Sequence, residues 1–235
     1  MTTWPGDDPT APAPEPMPKS LQAVADATKG FLPPDEAAAL YDAAWAMAPA
    51  GVVLEVGTYC GKSATWLGAA AGRRGGVVVT VDHHRGSEEN QPGWQWHDPE
   101  LVDPAVGAMD TLPFFRRTTH AAALEDVVVA VVGRSTTVAK LWSTPLAMLF
   151  IDGGHAVEHC TNDYTHWTPF VQPGGVLAIH DVFEDPADGG QAPHDHIYQP
   201  ALRDGFVEVR RVGSLRVLRR PSAAYGDLTS ARGVG

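Results

Sequence analysis

The 235-residue chain carries 28 acidic residues against 17 lysines and arginines, a formal net charge of −11, with 44% hydrophobic and 19% charged residues. That length suits one α/β domain with a full core and no need of disulfides, and the acidic excess speaks against a nucleic-acid partner or an anchor on anionic lipid. No apolar run approaches the ~20 residues of a membrane span, residues 1–20 lack the basic and apolar regions of a secretory signal, and Cys60 and Cys160 form no CxxC pair, so a reducing, cytoplasmic setting is expected.

Residues 1–20 hold six prolines and no apolar periodicity and read as a flexible tail, as do residues 221–235, leaving a single domain over 21–220. Residues 35–48 have apolar positions at helical spacing, introduced by Pro33 and Pro34. GVVLEVG (51–57) reads as a buried strand and GKSATWLGAAAG (61–72) as a helix closed by glycine. The rhythm repeats with strand 76–82, strand 127–133, helix 135–142, strand 146–152, helix 157–171 closed by QPGG, and strand 175–183. Strands this apolar need cover on both faces, which predicts a Rossmann-like, doubly wound, mostly parallel sheet. Residues 206–220 place two β-rich halves around Val-Gly-Ser, a C-terminal antiparallel hairpin. Residues 83–126 break the rhythm. They are polar, aromatic and rich in turn formers, which suits a lid or an acceptor-binding segment.

The first strand runs into Glu55-Val-Gly57-Thr58-Tyr59-Cys-Gly61-Lys-Ser63. A glycine turn between strand and helix brings backbone N–H groups and a helix N-terminus to a ligand. With only three residues between Gly57 and Gly61 the loop is one short of a P-loop, and Tyr59 breaks the dinucleotide fingerprint GxGxxG. The pattern acidic-x-Gly-x-x-x-Gly is matched in full by Glu55, Gly57 and Gly61. The second strand ends in Asp82, 25 positions after Gly57, a place from which a carboxylate reaches ribose hydroxyls in the related dinucleotide fold.

Glu55, Gly57 and Gly61 resemble motif I of the class I S-adenosylmethionine-dependent methyltransferases. The resemblance implies a cofactor held by Glu55, Gly57, Thr58, Tyr59, Gly61 and Ser63, with Asp82 on its ribose. Gly133-Arg134-Ser135 stands where such enzymes contact adenine; Arg134 replaces the Asp of many relatives, which leaves Ser135 or backbone for that contact. The stretch from FIDGGH to LAIHDVF (150–183) resembles small sugar O-methyltransferases of the macrocin type and relatives of cephalosporin hydroxylase, over roughly residues 34–220 and least in 86–126.

The resemblance implies that metal-dependent enzymes of this kind hold magnesium with one Asp after the fourth strand and two adjacent acidic or amide residues after the fifth. The matching residues are Asp152, His180 and Asp181, with Asp152 also beside the cofactor; His180 is a departure, since magnesium prefers oxygen. His155 stands where catechol-type relatives carry a general-base lysine, and a neutral imidazole can take a hydroxyl proton. Trp94, Trp96 and His97 are candidates to stack on a sugar, and His194, His196 and Tyr198 to bind its hydroxyls. HHRGSEENQPGW, IDGGH and HDHIYQPAL together are similar to a subgroup that methylates the 1-OH of a short 3-O-methylated mannoside, a role within polysaccharide biosynthesis. The resemblance leaves room for a homodimer, although no heptad or apolar stripe demands one. Three other readings stand beside this one: methylation of another small hydroxylated metabolite, a non-catalytic cofactor-binding protein, and an iron enzyme using His155, His180 and Asp181.

Overall fold

The computed structural model describes residues 12–222. Helices α1 (Lys19–Ala27) and α2 (Pro34–Met47) precede β1 (Val52–Val56), and α3 (Lys62–Arg73) leads into β2 (Val78–Asp82). A long connection holds the two-residue strands β3 (Val102–Asp103) and β4 (Ala108–Met109) and helix α4 (Leu112–Ala121). Then follow β5 (Val128–Val132), α5 (Ser135–Ala139), β6 (Leu146–Ile151), α6 (Val157–Trp167) and β7 (Val171–Ile179). A π-helical turn over His194–Tyr198 runs into α7 (Gln199–Arg203), ahead of β8 (Val207–Val212) and β9 (Leu215–Arg219).

Seven strands form one sheet in the order β5-β2-β1-β6-β7-β9-β8. The first five are parallel, and β9 runs antiparallel to both β7 and β8. The expected mostly parallel sheet and terminal hairpin are both present. Successive strand residues point to opposite faces. Val53, Met148 and Phe150 therefore meet Leu40, Ala44 and Leu67 of the helices on one face. Leu54, Leu149 and Leu177 meet Trp167 and Ile197 on the other. With both faces covered, unbroken apolar strands are what the sheet requires. The strand order reverses between β1 and β6, and the crevice outside their carboxyl ends is where such sheets bind ligands.

Several boundaries differ from expectation. Strand β7 begins at Val171 and takes in QPGG, which had been expected to close the preceding helix; it ends at Ile179 rather than 183. Helix α6 stops at Trp167 and a 3₁₀ turn at Pro169 carries the chain into the strand. The segment 83–126 is not wholly a lid: Phe115 and Leu124 belong to the core, so α4 is a structural helix. Of the expected N-terminal tail, residues 1–11 lie outside the described ones, while residues 12–18 run beside the helices and α1 starts at Lys19. There Tyr41 Oη donates to the Glu15 carbonyl and Arg73 to the Pro16 carbonyl. The expected C-terminal tail lies outside the described residues from 223 on. Among the described residues no helix is long and apolar enough to cross a membrane.

Candidate active site

A cavity of about 860 Å³ opens at the carboxyl ends of the parallel strands. Its floor is the turn after β1. Gly57 has φ +89°, and a Cβ there would lie 2.1 Å from the Asp152 carbonyl oxygen. Only glycine allows the turns after β1 and β6 to approach this closely. Gly61, at φ +91°, is the N-cap of α3, and the first turn of that 12-residue helix presents Lys62 and Ser63 to the cavity. The helix N-terminus carries partial positive charge, which suits a carboxylate.

Asp82 has a structural duty that its position alone did not reveal. Its Oδ2 accepts from Thr58 N and Tyr59 N, both at 2.9 Å, and its Oδ1 accepts from His84 N at 2.7 Å. The carboxylate thus clamps the glycine loop. Tyr59, at φ +51°, is held in a conformation rare for a non-glycine residue. An ionised carboxylate offers about four acceptor positions, so one remains for a ligand.

Glu55 lies beneath this loop, fully buried, and it is not among the residues that line the cavity. Neither carboxylate oxygen makes a well-formed hydrogen bond. Burial, reinforced by the Asp152 and Asp82 charges and opposed by the Ser63 and Thr58 hydroxyls, pushes its carboxyl up to about 8. A carboxyl raised in the folded state binds more protons there than in the unfolded chain, so stability falls as pH rises from its ordinary range through about 8. Glu55→Gln is expected to melt above the wild type at pH 8, the gap closing toward pH 5; thermal melts followed by circular dichroism test this, and parallel melting curves at both pH values would refute it.

At the far end of the cavity five titratable side chains form one chain of contacts. Asp152 follows β6 and its Oδ1 accepts from His180 Nδ1 at 3.0 Å. Asp181 follows β7 at φ +55°, a turn that folds its carboxylate back, so Oδ2 sits 3.2 Å from His180 Nδ1 and 3.0 Å from His155 Nε2. His155 Nδ1 in turn lies 3.2 Å from Glu89 Oε2. Burial alone would lower both imidazoles. The carboxylates outweigh it: Asp152, Asp181 and Glu36 hold the proton on His180, and Asp181 and Glu89 raise His155 above its ordinary value. Asp181 is held well below the usual carboxylate range; burial opposes this, and the two histidines prevail.

Asp152, His180 and Asp181 each bring one ligand atom within 4.8 Å of the others. This donor set fits a cation, which would take the place of the proton that His180 Nδ1 now shares with two carboxylates. Among the described residues it is this set, and not the two histidines with Asp181, whose ligand atoms lie mutually within 4.8 Å.

Phe31, Tyr59 and Trp96 form an aromatic rim, with ring centroids 5.7 Å and 5.1 Å from Phe31. Lys29 pins the segment after β2 beside it through Asp98 and Glu100. Of the expected acceptor residues only Trp96 lines the cavity. Trp94 is exposed outside it, and His97 Nδ1 is bonded to the Asn90 carbonyl. His194 pairs with Asp195, His196 with the Thr161 hydroxyl, and Tyr198 donates to Glu208, all away from the lining. Ser135 lines the cavity, but its hydroxyl donates to Asp163 and accepts from Trp167 Nε1. Sequence reasoning missed Phe31, Glu36, Glu89 and Asp163. Phe31 and Glu89 lie in stretches without periodicity, and Glu36 and Asp163 read as ordinary polar positions on helices.

A family model described as a methyltransferase domain matches residues 54–182, from the middle of β1 to just past Asp181. The chain belongs to this methyltransferase family. The methyltransferase also shares its fold with solved structures. Rv0187 from MTB, solved with cofactor bound, matches at 20% identity and a TM-score of 0.60, over 92% of this chain and 94% of that one. An O-methyltransferase from Bacillus cereus in complex with SAH matches at 17% and 0.58 over the same shares. The O-methyltransferase TomG from Streptomyces achromogenes, involved in tomaymycin synthesis and solved with SAM, matches at 16% and 0.59, over 87% of this chain and 91% of that one.

Proposed function

We propose that this methyltransferase uses S-adenosylmethionine to methylate a sugar hydroxyl, the 1-OH of a short 3-O-methylated mannoside, with a divalent cation and His155 as general base. The observation that carries the reading is the joining, along one cavity, of the glycine loop and the Asp152–His155–Asp181 cluster. The names of TomG and the Bacillus cereus enzyme, O-methyltransferases solved with SAM and SAH, support the same chemistry. The two buried free cysteines suit a reducing cytoplasm.

Bound S-adenosylmethionine supplies an electrophilic methyl group on a sulfonium. The first turn of α3 and the loop Gly57–Thr58–Tyr59 would hold its amino-acid end. Asp82 fixes that loop and would offer its remaining acceptor position to the ribose. Asp163 and Ser135, joined to each other in the cavity lining, would hold the adenine. A cation at Asp152, His180 and Asp181 would lower the pKa of the acceptor hydroxyl. His155, oriented by Asp181, takes the hydroxyl proton as the oxygen attacks, then releases it to solvent. The rim of Phe31, Tyr59 and Trp96 packs against the apolar face of the sugar.

Calorimetric titration with S-adenosylhomocysteine, with and without a divalent metal and a short 3-O-methylated mannoside, tests the reading. Micromolar cofactor binding and metal-dependent sugar binding are expected. Failure to bind the cofactor analogue would overturn the reading as a whole, and binding it with no sugar response would overturn the acceptor.

A further inference from the structure

Glu36 is a carboxylate only 4% exposed, on the first turn of α2 and far in sequence from Asp152, His180 and Asp181. Burying a charge is costly unless its partners are built in, and here they are. Its Oε1 accepts from Ser214 N at 2.7 Å and from the Ser214 hydroxyl at 3.2 Å. Gly213, at φ +50°, gives way to it: a Cβ there would lie 2.2 Å from Oε1. The other oxygen, Oε2, stands 2.8 Å from His180 Nε2, an ion-pair distance, although too far out of line for a regular hydrogen bond.

His180 is therefore held at both nitrogens. Nε2 faces one carboxylate that the fold has fixed in place, and Nδ1 faces the two carboxylates of the cavity. Histidines that bind metals commonly give the remote N–H to a carboxylate, which fixes the tautomer and the ring. We infer that Glu36 is a positioning residue that presents His180 Nδ1 as a nitrogen ligand beside Asp152 and Asp181, so that the site selects a divalent transition metal over magnesium. The inference rests on the cation site of the proposed function and departs from the magnesium that the sequence resemblance implies. An imidazole with two carboxylates suits manganese, cobalt or zinc, whereas magnesium asks for oxygen throughout. Charge favours a dipositive ion of either kind, since three carboxylates face His180; the nitrogen donor is what separates the two.

The full-length protein, stripped with chelator, would be titrated with Co²⁺ by visible absorption and with Mn²⁺ and Mg²⁺ by calorimetry, alongside Glu36→Gln and Ser214→Ala. S-Adenosylhomocysteine binding and circular dichroism would be recorded for each protein. The expected result is a Co²⁺ spectrum of a nitrogen-containing site, Mn²⁺ bound more tightly than Mg²⁺, and a 10- to 100-fold loss of metal affinity in Glu36→Gln with cofactor binding retained. Ser214→Ala, which keeps the backbone donor, should lose affinity in the same direction by less, and it decides the matter if Glu36→Gln does not fold. Equal metal affinity in the folded variants and the wild type, tighter Mg²⁺ binding, or no metal binding by the wild type would overturn the inference. Wild type that binds metal as described but not S-adenosylhomocysteine would instead overturn the proposed function and leave the role of Glu36 standing.

Discussion

His155→Ala is expected to lower kcat by about 10²- to 10⁴-fold, the range a positioned general base supplies, while S-adenosylhomocysteine binds almost as it does to the wild type. The imidazole contacts Asp181 and Glu89 at the reaction end and stands apart from the glycine loop, so its removal should spare the cofactor. The pH profile adds an independent check. Asp181 and Glu89 raise His155 against the pull of burial, and turnover should rise with pH as the imidazole gives up its proton, before it levels off. Losing the Glu89 charge in Glu89→Gln should move that rise to lower pH. Wild-type turnover by His155→Ala, with a labelled methyl donor and a 3-O-methylated mannoside, would remove the base assignment.

Gly57→Ala should cost more in the fold than any other single change at the glycine loop. The new methyl would stand 2.1 Å from the Asp152 carbonyl oxygen, on a backbone already at φ +89°. Neither atom can yield by a rotamer change, because both belong to the turns after β1 and β6, and Asp152 N donates to the Val56 carbonyl in the same junction. Strained backbone costs ~1–3 kcal/mol at such a position, and the clash adds to it. A loss on the order of 3 kcal/mol or more is a large part of the 5–15 kcal/mol that holds a domain together. Urea unfolding should show the drop, and cofactor binding should fall with it. Gly75→Ala is a useful contrast: it shares the positive φ, +69°, but has nothing within 4 Å of a new Cβ, so its loss should be much smaller.

The sheet was legible because its signal is local and strong. Five apolar runs bounded by glycine and polar residues leave little choice but a covered parallel sheet, and all five appear as its parallel strands. Helix α4 was hidden because, of its apolar side chains, LPFFRRTTHA places only Phe115 deep in the core, while the hydroxyl of its N-cap Thr111 meets His84 Nδ1 and makes no capping bond. Strand β7 began early because QPGG, which punctuates most chains, lies where Val171 can still pair with Leu146. In the site, Gly57, Asp152, His155, His180 and Asp181 could be named because each follows closely on the end of a parallel strand. The partners of those residues could not. Glu89 reaches the cavity through an irregular segment, and Glu36 and Ser214 meet only by folding, so neither has a spacing to betray it. Asp82 was legible as a strand-end carboxylate, yet its grip on the loop amides is a matter of distance that no spacing records.

The pairing of Glu36 with Ser214 joins positions 178 residues apart. Contacts of such long range form late, after the intervening loop has been closed. On the ribosome, every residue of the cavity lining emerges before the β8–β9 turn that seats Glu36. Until that turn docks on α2, Glu36 lacks the Ser214 donors that hold it against His180, so the order of the reaction end depends on the hairpin as well as on the parallel strands.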